Sequence, residues 1–467
     1  MRSWRPVSPW RWIEPWCSPL LSQRYRWTIR AQVAHVRSSN VDGLPPIRAQ
    51  YADMRSVLRC ASALALLLGL GASAAAESPL QQLAAVVGAD QGVYAVAGDG
   101  TVLVAQAESR AVHPASVTKV ATSLALLARL GPSYRFTTTF RGDRPLRDGR
   151  LAGELVVDGG GDPFLVDESA LLVLRRLHAQ GLRTVARHVA VRGSLLFDWQ
   201  PDPTGRRLED VLAGRAGNAA RATLARIESA GSIAGDAPPL RFGVAGGSRV
   251  VDPSPREDAS RPDASMRGAA STGAALATVR SPILLHVVKA LNCFSNNVFH
   301  FAADAIGGPR DVEDLARGRV PAAMRDEIVI GNGAGAGPMN RMSPRAAVAL
   351  LQALADELTR AGQELSAALP VSGIDPGTLE ARFSDEPALV IGKTSRSGSV
   401  GASALVGVLR TPRYGTVRFA VLNHDLPVPD ARARQDAFVR ALASATAAQP
   451  WSYTTRATPP YLATVVE

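Results

Sequence analysis

Apolar runs near both ends of the chain predict a sheet assembled from strands that are distant in sequence. Residues 92–97 and 101–105 are rich in β-branched and small apolar residues and flank a Gly-Asp-Gly turn, which predicts a hairpin. Residues 405–409 and 417–422 repeat this pattern near the C-terminus and predict a second hairpin. We expect the C-terminal strands to complete the sheet that the N-terminal strands begin.

Apolar residues spaced three and four positions apart predict helices between the hairpins and after the second one. One such helix has its apolar residues on a single face: Val120, Leu124, Leu127 and Leu130. Gly131-Pro132 would end it. The same spacing predicts helices over 171–180, from residue 283 onward, and over 431–445.

The composition and the hydrophobic pattern of the sequence change between residues 135 and 270. Short apolar runs at 154–157 and 188–191 predict strands near a glycine-rich turn. Residues 201–267 are rich in Pro, Gly, Arg and Asp and predict no element. The pattern therefore predicts an α+β fold, an antiparallel sheet flanked by helices. Its parts are a discontinuous domain (77–134 and 271–467) and an inserted β-rich subdomain (135–270).

A leader with its own composition precedes residue 77. A basic segment at 54–59 is followed by an apolar stretch at 61–70 and by three alanines at 74–76. This order and length predict a signal peptide over 54–76 and export to the periplasm; the alternative is an uncleaved membrane anchor. Because a signal peptide rarely begins so deep in a chain, we expect residues 1–53 to be a mis-assigned leader.

The net charge of +11 does not indicate nucleic-acid binding, because most of it lies in the leader. Residues 1–76 hold ten Arg and three acidic residues, which leaves 42 basic (52 minus 10) and 38 acidic (41 minus 3) residues in the rest. Cys17 and Cys60 also fall in the leader. Cys293 is then a lone thiol, which predicts a small buried hydrophobe and no intrachain disulfide. The seven His show no close-spaced metal pattern, and nothing predicts a metal or nucleotide cofactor.

Lysine is the scarcest charged residue, with three among 52 basic residues: Lys119, Lys289 and Lys393. A buried lysine can lose its proton and act as a base, whereas arginine stays protonated, so lysine is expected where arginine cannot replace it. Lys119 ends a Ser-x-x-Lys motif that begins at Ser116, and Lys393 opens a Lys-Thr-Ser motif. Chance occurrence in an arginine-rich chain is the alternative, and for Lys289 alone we prefer it.

These motifs carry the chemistry of a serine nucleophile. Ser116 and Lys119 are three residues apart at a predicted helix start, so a neutral lysine could take the serine proton. Ser295 could relay a proton to a leaving amine, and the amide of Asn297 could hold substrate. Each motif alone is weak, since Ser-Asn-Asn is ordinary turn material and Lys-Thr fits a plain surface strand. The ordered set of three is much more specific.

Over residues 85–440 the chain resembles the DacB-type D-alanyl-D-alanine carboxypeptidase/endopeptidases, which are low-molecular-mass class C penicillin-binding proteins. The resemblance lies in several blocks: 113–122, 130–136, 159–165, 280–284 with 295–297, 373–382, and 403–407. It implies a sheet of the penicillin-binding and serine β-lactamase type, and peptidoglycan stem peptides as substrates. It also implies acylation by β-lactam antibiotics.

The resemblance assigns roles to the motif residues. Ser116 would attack the carbonyl between two D-alanines, or of a D-alanyl cross-link, and Lys119 would be the base. Ser295 and Asn297 would transfer the proton and hold the substrate. The third motif would bind the terminal carboxylate through Lys393, Thr394 and Ser395. Backbone N–H groups of Ser116 and of the third-motif strand would form the oxyanion hole.

Three departures from the family pattern leave alternatives open. Ser395 stands where the family has glycine, and the offset triplet 396–398 (Arg-Ser-Gly) would restore glycine but replace lysine by arginine. Residues 332–337 lack the acidic and hydroxyl groups of the family's corresponding loop. The separation of Ser116 and Ser295 is short for the family's insertion. A β-lactamase or esterase, or a catalytically weak wall-binding scaffold protein, are therefore the alternatives, and the sequence predicts no oligomeric state.

Overall fold

The computed structural model describes residues 78–229, 237–243, 273–397, 401–455 and 464–467. The described residues from Pro79 onward belong to one compact unit. The predicted leader 1–53 and signal peptide 54–76 lie outside the described residues. The segment 201–267, for which no element is predicted, is described at 201–229 and 237–243, and these parts contain two α-helices, a π turn and short strands.

The strands are named in chain order. They are β1 (Gly92–Val96), β2 (Val102–Gln106), β3 (Thr137–Gly142), β4 (Leu146–Arg147), β5 (Arg150–Leu151), β6 (Leu155–Gly160), β7 (Thr184–Val185), β8 (Val189–Ser194), β9 (Leu196–Phe197), β10 (Gln200–Pro201), β11 (Arg241–Phe242), β12 (Ala275–Arg280), β13 (Ile328–Val329), β14 (Arg341–Met342), β15 (Ile391–Ser397), β16 (Ala402–Thr411), β17 (Gly415–Asn423) and β18 (Val465–Val466).

The α-helices are α1 (Ala84–Val87), α2 (Thr118–Leu130), α3 (Asp167–Ala179), α4 (Arg206–Asp210), α5 (Asn218–Ser229), α6 (Leu284–Phe294), α7 (Phe299–Ala303), α8 (Pro309–Gly318), α9 (Pro344–Arg360) and α10 (Val428–Ala445). Short 3₁₀ turns lie at Gln81–Leu83, Ala115–Val117, Asp304–Ile306, Ala322–Glu327 and Leu365–Ala367, and a π turn lies at Val211–Arg215.

The central sheet joins the two ends of the chain. Its five strands have the order β15-β16-β17-β1-β2 and all neighbours are antiparallel. Gly92 lies opposite Leu422, and Val96 lies opposite Arg418. Both predicted hairpins and their union in one sheet are therefore confirmed, as is the α+β fold class. Strand β15 is the outer strand of this sheet, which leaves one of its edges available to the rest of the molecule.

Alternation along the strands gives the central sheet two apolar faces. Val406 and Val408 lie on the face that packs against α2 and α9, whereas Leu405 and Leu409 lie on the face that packs against α1 and α10. Helix α2 is more deeply enclosed than its predicted single apolar face implies. Every residue from 118 to 127 is buried, as expected for a helix in the middle of a core.

A second five-stranded sheet forms the centre of the insertion, in the order β18-β12-β3-β6-β8. Only β6 and β8 are parallel, and α3 connects these two strands. The short strands β11, β7, β5 and β4 form a separate sheet beside it. The inserted segment is therefore a structural layer in which Phe140, Leu155 and Val191 are buried, and its core is continuous with the one that surrounds α2 and α9.

The strand pairing extends beyond the limit predicted for the insertion. Strand β12 pairs with β3 although it lies after residue 270, and the C-terminal β18 pairs with β12. The backbone groups of Thr278 and Glu467 exchange two hydrogen bonds of 2.9 Å. The division of the chain into domains stays a prediction, but its boundary at 270 separates strands that the structure joins.

Candidate active site

The predicted nucleophile lies on a tight turn at the start of α2. Ser116 is in the 3₁₀ turn Ala115–Val117, and this turn runs directly into the helix. Ala115 has a φ of 44°, a left-handed conformation that non-glycine residues rarely adopt. Such conformations cluster at functional sites, where surrounding contacts hold them. The turn leaves Ser116 half-buried, whereas Lys119, one helical turn later, is fully buried.

Three oxygen atoms surround the Nζ of Lys119. The Oγ of Ser116 lies at 2.8 Å, the Oδ1 of Asn297 at 3.2 Å and the backbone oxygen of Ala334 at 2.6 Å. The amide and backbone oxygens can only accept hydrogen bonds, so they take both N–H groups of a neutral amine. The remaining lone pair of that amine then faces the hydroxyl of Ser116. This is the orientation that a general base for Ser116 requires.

The surroundings of Lys119 favour the neutral amine. Burial lowers the pKa of Lys119 well below its ordinary value of 10.5, and the nearby charge of Lys393 lowers it further. Both causes act against the ammonium, because the buried site removes water and a second cation repels it. A lysine in this environment gives up its proton more readily than an exposed lysine and is better suited to act as a base.

The second motif occupies the end of α6. Ser295 is the residue at which the helix stops, and its φ of 54° turns the chain sharply into the short helix α7. The turn directs Ser295 toward Lys393 and Asn297 toward Lys119. Neither residue has a signature that sets it apart from an ordinary helix end in the sequence. Their role becomes visible only when the sheet and the helices enclose the same cleft.

The third motif lies on the outer strand β15. The Nζ of Lys393 donates to the Oγ of Ser295 at 2.9 Å and to the backbone oxygen of Thr394 at 2.7 Å. Burial lowers the pKa of Lys393 to about 7. Lys393 therefore stands next to the proposed proton relay and carries a charge that changes near neutral pH.

The structure separates the two alternative third motifs. Lys393 is fully buried in the cleft, whereas Arg396 of the offset triplet is exposed. Ser395 stands at the family's glycine position, and its buried hydroxyl donates to the backbone oxygen of Ala404 on β16 at 3.4 Å. This contact directs the hydroxyl over the sheet. Residues 398–400, which include the glycine of the offset triplet, lie outside the described residues.

Backbone groups of β15 point out of the sheet edge and toward the cleft. The N–H of Gly392 donates to Pro370 at 3.1 Å, on the side away from β16. Because successive residues of an antiparallel strand alternate, the N–H groups of Thr394 and Arg396 point the same way. Strand β15 also packs directly against the turn Ala115–Val117. Its edge can therefore supply an oxyanion donor beside the N–H of Ser116.

Comparison with known proteins places this cleft in a peptidase family. The model of the D-Ala-D-Ala carboxypeptidase 3 (S13) family matches residues 72–224 and 262–445, which is more than half of the chain. The chain belongs to this family. The predicted resemblance to DacB-type proteins is thereby confirmed, as is the prediction that the protein is a serine-type peptidase.

Solved structures share the fold of this S13 enzyme at low sequence identity. The predatory endopeptidase Bd0816 of Bdellovibrio bacteriovorus, in complex with the immunity protein Bd3460, is 18% identical with a TM-score of 0.63, covering 79% of this chain and 97% of that chain. Penicillin G-acylated Bd3459 of the same organism is 17% identical with a TM-score of 0.62, covering 79% and 96%. Penicillin binding protein 4 (dacB) of Haemophilus influenzae is 17% identical with a TM-score of 0.52, covering 79% and 99%.

The loop at residues 332–337, which departs from the family pattern, still closes the site of the S13 enzyme. Its contribution to Lys119 is a backbone oxygen, that of Ala334. The side chain of Asn332 holds the loop by accepting from the N–H groups of Ala334 and Ala336, at 2.9 and 3.2 Å. The side chain of Asn340 donates to Thr118 at the start of α2. In place of acidic and hydroxyl side chains, this loop contributes a backbone oxygen, and the side chains of Asn332 and Asn340 hold the loop in position. The sequence does not predict this arrangement.

The third lysine of the S13 enzyme has a structural role. Lys289 pairs with Asp375 at 2.5 Å and donates to the backbone oxygens of Ser366 and Leu369. Tyr453 completes the cluster by donating to Asp375 at 2.9 Å. This ion pair fastens α6 to the segment before β15. The sequence favours chance occurrence for Lys289, and it does not predict this ion pair.

The remaining features of the S13 enzyme concern cofactors, thiols and membranes. Cys293 is buried, as predicted. Among the residues that the structure describes, no group of three or more His, Cys, Asp or Glu side chains could hold a metal ion. Within the same ranges no helix is both long and apolar enough to cross a membrane.

Proposed function

We propose that this S13 enzyme hydrolyses the D-Ala-D-Ala bond of peptidoglycan stem peptides, and D-alanyl cross-links between them, through an acyl-enzyme on Ser116. One observation carries the proposal. The Nζ of Lys119 lies 2.8 Å from the Oγ of Ser116, and its two other oxygen neighbours can only accept hydrogen bonds. A buried amine held in this way has its lone pair directed at the nucleophile.

The acylation step uses each motif once. Lys119 takes the proton of Ser116 as the Oγ attacks the carbonyl carbon, and the negative charge that develops on the carbonyl oxygen faces the N–H groups of Ser116 and Arg396. The tetrahedral intermediate then expels the leaving amine. Ser295 passes a proton to that amine, and Lys393 stands behind Ser295 to keep the relay polarised. Lys119 passes the proton that it took on to Ser295 and is neutral again. It then takes a proton from the water that attacks the ester and gives this proton to the departing Oγ of Ser116.

The carboxylate of the leaving residue fits the third motif. The Nζ of Lys393 lies beside Ser295, and Thr394 follows Lys393 on β15. A charged donor with a hydroxyl suits a carboxylate, so these two residues would bind it. A β-lactam presents a reactive carbonyl and a carboxylate in a similar arrangement, so it would acylate Ser116. The structure of penicillin G-acylated Bd3459, a protein of the same fold, supports this extension.

Two finer features belong to the proposal. The solved structures of the same fold include Bd3459, which is named as a predatory peptidoglycan endopeptidase, and this supports action on cross-links as well as on terminal D-alanine. The signal peptide predicted at 54–76 supports export to the periplasm, where peptidoglycan lies within reach. The contact between Lys119 and Ser116 favours acylation over the scaffold alternative. A β-lactamase would share this contact, and fast turnover of a chromogenic cephalosporin would distinguish it.

Labelling of the purified protein with a fluorescent penicillin tests the proposal. We expect stoichiometric labelling of the wild-type protein, with peptide mapping that places the adduct on Ser116, and no labelling of Ser116→Ala. Release of D-alanine from a pentapeptide, and cleavage of a cross-linked muropeptide dimer, then report the two hydrolytic activities. A folded wild-type protein that takes up no label, or an adduct on another residue, would contradict the proposed acyl-enzyme.

A further inference from the structure

A buried histidine joins two segments that both contact the catalytic pair. His113 precedes the nucleophile turn and is 9% exposed. Its Nδ1 accepts from the N–H of Ala115 at 3.1 Å, and its Nε2 lies 2.6 Å from the backbone oxygen of Gly337. One ring therefore contacts the turn that carries Ser116 and the loop that contacts Lys119. His113 takes no part in the proposed proton transfers.

The two contacts require the neutral imidazole with its proton on Nε2. The N–H of Ala115 can only donate, so Nδ1 must be unprotonated, and the oxygen of Gly337 can only accept, so Nε2 must carry the proton. Burial lowers the pKa of His113, the bond to Gly337 opposes that effect, and the positive charge of Arg341 adds to it. The imidazolium would have a donor at both nitrogens and would lose the bond to Ala115.

Each segment that His113 contacts determines the geometry of a reacting atom. On one side, Ala115 has a left-handed φ of 44° and is followed directly by Ser116. On the other side, the loop supplies the backbone oxygen of Ala334 to the Nζ of Lys119 at 2.6 Å. The two segments also touch, because a Cβ on Gly335 would lie 1.9 Å from the backbone oxygen of Ala115. Only glycine permits this approach.

We propose that His113 is a positioning residue that fixes the nucleophile turn and the loop at 332–337 in one geometry, and that it does so only as the neutral ring. The inference rests on the proposed acyl-enzyme at Ser116. The histidine bridges the two segments that hold the Oγ of Ser116 and the Nζ of Lys119 at hydrogen-bond distance. Its protonation releases the turn and misaligns the pair.

Three variants separate the two contacts. In His113→Asn the side-chain oxygen can still accept from the N–H of Ala115, as in an Asx turn, but cannot reach Gly337. In His113→Gln the amide can reach Gly337 but not the N–H of Ala115, and His113→Ala loses both contacts. We expect the acylation rate constant at pH 7.5 to fall roughly 100-fold in His113→Ala, because small misplacements cost about that much. The Asn and Gln variants should lie between this value and the wild type.

The assay is the time course of fluorescent-penicillin acylation at several concentrations, which separates the rate constant from the dissociation constant of the non-covalent complex. The dissociation constant should change less than threefold. His188→Asn, a partly buried histidine paired with Glu209 in the insertion, is the matched control and should acylate like the wild type. Melting curves identify any variant that is unfolded at the assay temperature, and His113→Asn then serves in place of His113→Ala.

A pH profile gives a result that a merely structural role would not. Between pH 7.5 and 5 the wild-type rate should fall more steeply than that of His113→Asn, which has no imidazole to protonate. Acylation of His113→Ala within threefold of wild type, or parallel profiles in the wild type and His113→Asn, would overturn the inference. If the wild type labels on Ser116 in either case, only this inference fails. If Ser116→Ala labels like the wild type, the proposed function fails and the inference fails with it.

Discussion

Replacing Lys119 by arginine tests whether the buried amine acts as a base. Arginine keeps the positive charge and much of the length of lysine, but its guanidinium remains protonated. If Lys119 served only to neutralise charge or to fill space, Lys119→Arg would retain most of the activity. If its lone pair takes the proton of Ser116, the variant cannot begin the reaction. We expect acylation by penicillin to be slowed by orders of magnitude in Lys119→Arg.

The size of the effect follows from the fraction of neutral base. At pH 7.5 an amine with the ordinary pKa of 10.5 is neutral in roughly one molecule in a thousand, which corresponds to ~4 kcal/mol of deprotonation work. Burial and the charge of Lys393 remove a large part of that work. A guanidinium, which is harder to deprotonate than any lysine ammonium, restores this work and adds more. General-base assistance typically contributes 10²–10⁴ in rate, so we expect a loss of roughly 10³-fold.

The assay compares two lysine-to-arginine variants by stopped-flow acylation and by melting temperature. Lys289→Arg is the matched control, since Lys289 is ion-paired with Asp375 and its role requires only the charge. It should acylate within about threefold of wild type, by the usual size of effects at sites remote from the chemistry. Acylation of folded Lys119→Arg within tenfold of wild type would refute the assignment of Lys119 as the base.

Two further predictions concern titrating groups. Lys393, with a pKa of about 7, is charged below that pH, so the dissociation constant of non-covalently bound penicillin should rise about tenfold from pH 6 to 9. Acylation kinetics measure this constant, and in Lys393→Gln it should no longer depend on pH. A wild-type dissociation constant that is the same at pH 6 and 9 would contradict the prediction. Asp162 is buried and its pKa is raised to about 7, so the folded state resists its ionisation and stability is lost as the pH rises from about 4 to 7. The side-chain oxygen in Asp162→Asn can still accept from the N–H of Phe164, so at pH 8 the free energy of unfolding should exceed that of the wild type by up to ~4 kcal/mol. The melting temperature of the variant should therefore be higher at pH 8, and the difference should shrink toward pH 4. Equal melting temperatures at pH 8 would exclude this effect.

The parts of the fold that the sequence predicted are those whose signals are local. The hairpins β1-β2 and β16-β17 each combine apolar strands with a turn that contains glycine, and α2 ends at Gly131. Helix α5 was not predicted because its buried residues, Ala220, Thr223 and Leu224, form only a narrow and weakly apolar stripe beside arginines. Strand β18 has two residues, too few for any periodicity to appear.

The candidate site divides in a similar way. Lys119 and Lys393 were predictable because an arginine-rich composition makes a lysine in a motif conspicuous. The oxygen of Ala334 was not, since a backbone atom leaves no mark on residue identity. The left-handed conformation of Ser295 depends on how α6 and α7 meet, a tertiary contact that no local pattern encodes. His113 could have been noticed because it lies three residues before Ser116, but only the structure shows its two partners.

The burial and lowered pKa of two lysines also bear on covalent ligand design. Electrophiles that acylate amines or condense with them react with the neutral form of the amine. Most proteins carry many exposed lysines, and these react with such electrophiles slowly because they are mostly protonated. Here the chain holds three lysines in all, and one of them is ion-paired. Lys119 and Lys393 line the same cleft with amines that lose their protons more easily than usual. The most reactive amines of this chain therefore lie beside the nucleophile, where a bound small aldehyde or activated ester would also block Ser116. A lysine-directed inhibitor of this enzyme would lose little reagent to lysines on the protein surface.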